Sequence, residues 1–376
     1  MQSHPQTAFA PCTSEEKERL ESALARQANQ LSEKLSITPI LQPLFESLHK
    51  AILSPGKRIR PALLMATFKA FQENSNETII PDYVYEIAGA IELFHAFLLI
   101  HDDVIDNSMS RRGEPTLHKR IETIHQARPR NAEHIAVVFG DIVHGYVFEL
   151  ITNSSIPDER LRPVIQKVAR MAQWTGTGEI LELALWDRYL NDIPEDWIHS
   201  VYHLKTGVYT IESPIQVGAI LAGQSKSSLS DISRLIQPIG VAFQIENDLH
   251  EVSLDLERFQ DLVYDLKCGV KTLFVKRLHA LLKPTDRVFL DEILSGQRCP
   301  FEHTARLHEL FQCSATRVHL AEYANCLFQE GRLGIEKSEL NQHLDGRLVS
   351  IIDYVLLNRK HSEHLIRQSN SLTSKP

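Results

Sequence analysis

Leucines and alanines recur at three- and four-residue intervals across 14–35, behind a serine and with Glu15 and Glu16 in the opening turn. This spacing predicts an amphipathic first helix with an N-cap. After Pro39 and Pro43 a second helical stretch leads to Ser54-Pro55-Gly56. An almost wholly apolar run, 94–100, is broken only by His95 and drives into Asp102, Asp103 and Asp106. A polar stretch, 123–133, separates it from AVVFGDIVHGYVFELI, and helical runs follow over 171–185, 202–223 and 240–255. Period-two alternation bounded by turn residues is scarce, so the pattern predicts an all-α chain.

Composition narrows the picture. The 376 residues could fill one large domain or two, and 43% hydrophobic residues allow a large core. No Gly/Ser-rich or Pro-rich stretch marks a linker, so a single domain over 14–359 is expected, with a disordered 1–13 and a polar tail at 360–376. A net charge of −8 argues against general nucleic-acid affinity. Five scattered cysteines (Cys12, Cys268, Cys299, Cys313, Cys326), none in a CxxC pair, fit a reducing cytosol and no zinc site. The N-terminus has no basic start and no apolar core of a signal peptide, and no run of 18 or more uncharged apolar residues occurs. A cytoplasmic protein without stable membrane insertion is expected.

Chemistry concentrates where the apolar run ends. On a helix Asp102, Asp103 and Asp106 sit at about 0°, 100° and 40°, so their carboxylates share one side, with His95 two turns earlier on nearly the same line. Three carboxylates ending a buried helix repel one another and resist desolvation unless cations lie between them. Oxygen-only ligands suit Mg²⁺, which shares its coordination with substrate phosphates. A solvated acidic helix end is the plainer alternative; the apolar approach and the following Arg111-Arg112 weigh against it. Upstream, Lys57 and Arg60 flank a helix entrance next to Gly56, a cluster suited to a diphosphate or, more plainly, a solvated basic patch. His95 alone would be a satisfied helix histidine.

DDVID followed by RRGEPTLH resembles the first aspartate-rich motif of the trans-type isoprenyl diphosphate synthases, the polyprenyl synthetase family. Other landmarks of that family follow in order across 41–278: GKRIRP, Gly140-Asp141, Lys205-Thr206 and Phe243-Gln244. The resemblance implies a bundle of about a dozen helices around a deep central cavity, and a homodimer. It implies that Lys57, Arg60, His95 and Arg112 bind isopentenyl diphosphate, while Arg111 and Lys205, with Thr206, Phe243 and Gln244 nearby, serve the allylic diphosphate. Asp102, Asp103 and Asp106 become the catalytic carboxylates, with Asp102 and Asp106 as ligands among three Mg²⁺ ions. Phe97 and Leu98, five and four residues before the first aspartate, become the floor that limits chain growth. With no two-residue insertion in the motif, a geranylgeranyl-forming type is implied.

The second half of the pattern departs from the family. Its second aspartate-rich motif, Asp-Asp-x-x-Asp, is here Asn247, Asp248 and Glu251, with Asp255 on the same helical side. An Asn carbonyl can ligate Mg²⁺ but brings no charge. Gln260 stands at a lysine position, Val270 replaces the lysine of a GKxT, and Gly178-Glu179 stands where Gly-Gln is common. An active prenyltransferase with an altered second site is the expectation. A class I terpene cyclase is the alternative from the i, i+4, i+8 spacing of Asn247, Glu251 and Asp255, and a non-catalytic partner subunit is the other. The intact isopentenyl pocket disfavours the cyclase, and the intact DDVID disfavours the dead subunit.

Overall fold

The computed structural model describes residues 12–72, 79–252, 256, 259–312, 314–344 and 346–356. Asp255, Cys313 and the expected tail at 360–376 lie outside them, as does all of the expected N-terminal segment but Cys12 and Thr13. The architecture is all-α; among the described residues the strands are two pairs of residues in one hairpin. By proximity within the chain two compact units form, Met1–Lys167 with Pro214–Ser225, and Val168–Ser213 with Lys226–Pro376.

In the first unit, α1 (Ser14–Leu35) buries Leu20, Ala23, Leu24, Gln27, Ala28 and Leu31, the stripe its spacing predicts. Its cap is Thr13, one residue before the serine: the Thr13 hydroxyl accepts from Glu16 N, and Glu16 Oε2 accepts from Thr13 N at 2.8 Å. This reciprocal pair satisfies two otherwise orphaned donors. After α2 (Gln42–Ile52), α3 (Ile59–Ala70) is buried at every position from Pro61 to Ala70, as a helix apolar on all sides must be. Central to the unit is α4 (Asp82–Ile105), which packs on α1, on α3 and on α6 (Pro129–Asn153), with α5 (Leu117–Ile124) beside α6. By length and composition alone α4 and α6 could cross a membrane, with mean hydropathies of 1.5 and 1.6. A core helix passes the same test, and 67% of the α4 window is buried within the protein.

Between α4 and α5 the RRGEP segment turns on itself. Ser110 pairs with Pro115 and Arg111 with Glu114, and the two turn residues, Arg112 and Gly113, have φ of 57° and 82°. A two-residue turn with both φ positive matches the right-handed twist of its strands; Gly adopts it freely and Arg112 under strain.

The second unit contains residues 168–186 of α7 (Asp158–Trp186) and α8 (Glu195–Val201), which continues into a π-helix, Tyr202–Glu212. Next come α9 (Ser213–Leu221), most of which belongs to the first unit, and α10 (Lys226–Val252). Farther along are α11 (Gln260–Cys268), α12 (Leu273–Leu281), α13 (Pro284–Leu294), α14 (Thr304–Phe311) and α15 (Ser314–Glu336). The long helix α10 packs on α15 and on the π-helix.

Candidate active site

The first unit holds a cavity of about 490 Å³ at the end of α4. His95, Asp103, Arg111 and Arg112 line it together with Arg58 and Glu92, whereas Lys57 and Arg60 lie outside that lining. Lys57 is exposed, and Arg60 is near enough for its charge to act on His95. Burial, then the positive charges of Arg60, Arg112, Arg111 and Arg58, hold His95 well below the usual histidine range. It is therefore neutral at physiological pH, with one ring nitrogen donating and one accepting.

Arg58 was passed over by the motif reading, and the structure explains its place. At φ 49° it caps α3 in the left-handed region, which costs about 1 kcal/mol or more. The guanidinium offsets this by bonding Glu92 Oε1 at 2.9 Å and Glu21 Oε1 at 2.9 Å. Burial works against its charge, but those two carboxylates raise its pKa overall. Arg112 reaches the main chain at the other side: its Nη1 donates to Pro55 O at 2.6 Å, and a Cβ at Gly56 would lie 2.7 Å from that nitrogen. The close approach that Gly56 permits is thus taken by a guanidinium.

Asp102 and Asp103 occupy the last turn of α4, and Asp106 is its C-cap. Arg111 donates to Asp103 Oδ1 from Nε at 2.8 Å, with Nη2 2.6 Å from the same oxygen, and to Asp102 Oδ2 at 3.3 Å. Asp103 is buried, which raises its pKa, while Arg111 opposes the rise. Asp102 and Asp106 are half-buried. Three carboxylates at one helix end form an all-oxygen donor set, which fits Mg²⁺. Among the described residues no three histidine, cysteine or carboxylate side chains already converge as a metal cage.

Phe97 and Leu98 are half-buried on α4. The Phe97 ring lies 5.3 Å from Phe94, 5.0 Å from His101 and 4.7 Å from His144 of α6, which in turn lies 5.4 Å from Phe148. Gly140 admits this packing, since a Cβ there would sit 2.2 Å from His101 Nε2. Neither histidine was singled out from sequence; their positions on two helices, 43 residues apart, become neighbours only through packing.

In the second unit Thr206 and Gln244 join Asp248 in one chain of hydrogen bonds. Thr206 Oγ1 donates to Gln244 Oε1 at 2.8 Å, and Gln244 Nε2 donates to Asp248 Oδ1 at 2.8 Å. Asp248 Oδ2 accepts from the Tyr202 hydroxyl, which itself accepts from Leu273 N at 2.8 Å. Burial pushes the Asp248 carboxyl up to about 7, against the two hydrogen bonds and with the charge of Glu182 adding to the rise. Phe243 and Asn247 are half-buried, Glu251 and Gln260 exposed. Lys205 lies between two carboxylates, 2.7 Å from Glu179 Oε2 and 2.5 Å from Glu182 Oε2. Lys271 is buried, donating to Trp186 O and, at 2.6 Å, to Gly269 O; burial lowers it to about 8. Thr272 caps α12 by accepting from Val275 N.

These landmarks agree with a match of residues 42–313 to the family model for polyprenyl synthetase. The chain belongs to the polyprenyl synthetase family. This is a family of prenyltransferases, and the curated relatives are short-chain isoprenyl, farnesyl and geranylgeranyl diphosphate synthases. The short chain isoprenyl diphosphate synthase of Methanothermobacter thermautotrophicus is 29% identical over 86% of this chain and 92% of its own. The farnesyl diphosphate synthase of Escherichia coli is 30% identical over 61% of this chain and 74% of its own. In three dimensions, geranylgeranyl pyrophosphate synthase from Corynebacterium glutamicum, solved with isoprenyl diphosphate and magnesium, superimposes with a TM-score of 0.77. It is 22% identical, over 90% of this chain and 98% of that one, so the likeness is one of fold.

Proposed function

We propose that this polyprenyl synthetase family member condenses isopentenyl diphosphate with an allylic diphosphate, in the presence of Mg²⁺, to a short-chain prenyl diphosphate. The observation that carries this reading is the basic cavity of about 490 Å³ lined by Arg58, Asp103, Arg111 and Arg112. Its neutral, buried His95 feels the charges of Arg60, Arg112, Arg111 and Arg58, an arrangement that offers hydrogen-bond donors and positive charge to a diphosphate.

Lys57, Arg60, His95 and Arg112 are assigned to isopentenyl diphosphate, with Lys57 reaching from the exposed surface. Arg111 is held in place by Asp103, so its guanidinium is oriented before an allylic diphosphate arrives. Lys205, Thr206, Phe243 and Gln244 are assigned to that diphosphate as well. In the first unit Asp102 and Asp106 are assigned to Mg²⁺, and in the second Asn247, Asp248 and Glu251 are; when bound, Mg²⁺ would supply countercharge for the departing diphosphate. The apolar run before Asp102 would exclude water as the allylic C–O bond breaks and diphosphate departs; the isopentenyl double bond then attacks the allylic carbon, and the departing diphosphate takes the proton that is lost. No side chain needs to form a covalent bond with substrate.

A geranylgeranyl product is the length we assign, from the first aspartate motif without a two-residue insertion and from the single aromatic Phe97. The Phe97 ring packs on Phe94, His101 and His144 and lies outside the lining of the cavity at Asp103. Incubation with Mg²⁺, isopentenyl diphosphate and each allylic diphosphate in turn, with chromatography of the products, tests both parts. Phe97→Ala is expected to lengthen the product; an unchanged distribution refutes this assignment. A partner-subunit reading draws support from one observation, that Lys205 and Asp248 are already bonded within the protein. It prevails if the chain turns over no substrate yet binds a homologous synthase.

A further inference from the structure

The second unit contains a charge arrangement that the assigned roles do not explain. Lys205 belongs to an 11-residue π-helix, a rare form that is found frequently at functional sites. Beside it α7 lies unusually close: a Cβ on Gly178 would fall 2.4 Å from Lys205 N and 2.8 Å from Leu204 C. The next residue along α7 is Glu179, and one turn further is Glu182. Their carboxylates take the Lys205 ammonium at 2.7 and 2.5 Å, with side-chain exposures of 22% for Lys205, 19% for Glu179 and 18% for Glu182. A pair this sheltered is screened far less by salt than one on the surface.

Two carboxylates around one ammonium leave the trio with a net negative charge. A diphosphate approaching Lys205 would meet that charge before it met a free cation. The Lys205 main chain cannot retreat from the carboxylates without moving away from Gly178, so the trio is built into the packing of α7 on the π-helix. Asn247, on α10, is neutral where a carboxylate is usual for the family, while Glu179 is charged where an amide is usual.

We infer that Glu179 is a positioning residue that, with Glu182, clamps Lys205, so that a diphosphate engages Lys205 only with divalent cation taken up alongside it. This rests on the reading of Lys205 as a diphosphate-binding group. The clamp raises the Mg²⁺ concentration at which the site fills and leaves it closed to diphosphate alone.

The test uses the full chain, inorganic pyrophosphate and a Mg²⁺ series, comparing wild type with Glu179→Gln by calorimetry. At low Mg²⁺ Glu179→Gln is expected to bind pyrophosphate at least about fivefold more tightly than wild type, and the two are expected to converge at high Mg²⁺. Acetylation of Lys205, read by mass spectrometry against the exposed Lys226, reports the clamp without any ligand. Lys205 is expected to react slowly in wild type and severalfold faster in Glu179→Gln. In turnover, the apparent KM for the allylic diphosphate at low Mg²⁺ is expected to fall while kcat changes little; a merely structural glutamate would lower Tm and leave that ratio alone. Pyrophosphate binding with the same Mg²⁺ dependence in both proteins, or equal labelling of Lys205, overturns the clamp. Wild type that binds no pyrophosphate at any Mg²⁺, with Lys205 still protected, instead overturns the diphosphate reading on which the inference rests. Should Glu179→Gln fail to fold, wild type decides alone: Mg²⁺ with pyrophosphate must change Lys205 labelling, and pyrophosphate without Mg²⁺ must not.

Discussion

The end of α4 and the groups around Asp248 of α10 both gather charged side chains but use them differently. Around the first cavity, guanidiniums outnumber carboxylates near His95, and a backbone held in the left-handed region at Arg58 and Arg112 sets two of them. On the second face each key group already has a partner within the protein: Asp248 has Tyr202 and Gln244, Lys205 has Glu179 and Glu182, and Lys271 has two main-chain carbonyls. The difference teaches that a motif can keep its residues while changing their availability. A region whose groups are already bonded to one another must break contacts to bind, whereas one with a surplus of donors is ready for a ligand of opposite sign.

The sharpest test of the first region is Asp102→Ala and Asp106→Ala. Each is expected to lower turnover about a thousandfold or more, ~4 kcal/mol of barrier, with the fold intact by circular dichroism. Near-normal rates at saturating Mg²⁺ would move the chemistry away from this region.

Next in size is Arg58→Ala, which separates an architectural guanidinium from the ligand-facing ones. Glu92 is 5% exposed and would lose its partner, so denaturant melts are expected to show a loss on the order of 3–4 kcal/mol. A loss of activity at unchanged stability would instead make Arg58 a binding residue.

His118 gives the first region a pH signature. It is 1% exposed, and burial, with Lys119 adding and Glu122 opposing, lowers it to about 4. A histidine with a depressed folded value binds its proton less readily when folded than when unfolded. Its contribution is therefore complete above pH ~6.5 and is lost as pH falls toward ~4, by up to about 3 kcal/mol. His118→Gln should flatten the stability profile over that window, and equal slopes in both proteins would rule the assignment out.

The smallest effect belongs to the second region. Asn247→Asp with Gln260→Lys adds charge to groups that are half-buried and exposed. A gain of at least about tenfold in condensation rate, ~1.4 kcal/mol, is expected if that face is weakened. An unchanged rate in an already fast enzyme would mean that the face is adapted, with its charges redistributed toward Glu179.

Much of this molecule was legible along the chain. The stripe of α1, the apolar approach to Asp102 and the helical runs around Lys205 and Gln244 are local periodicities, and local periodicity determines which side of a helix is buried. Even the family was legible, since DDVID, RRGEPTLH and GKRIRP are contiguous strings. The Arg112–Gly113 hairpin was missed because two-residue strands offer no alternation to read; the Arg-Gly pair was the available signal. Along α7 alone, Glu179 is one more departure, a Glu where Gln is common. Only tertiary packing set it beside Lys205, as it set His144 on Phe97 and Glu92 on Arg58. The sequence determined which residues share a helix face, because that depends on a 3.6-residue repeat. Which charges neutralise one another was decided by the structure, because electrostatic pairing acts through distance and burial, and neither is encoded at any fixed spacing along the chain.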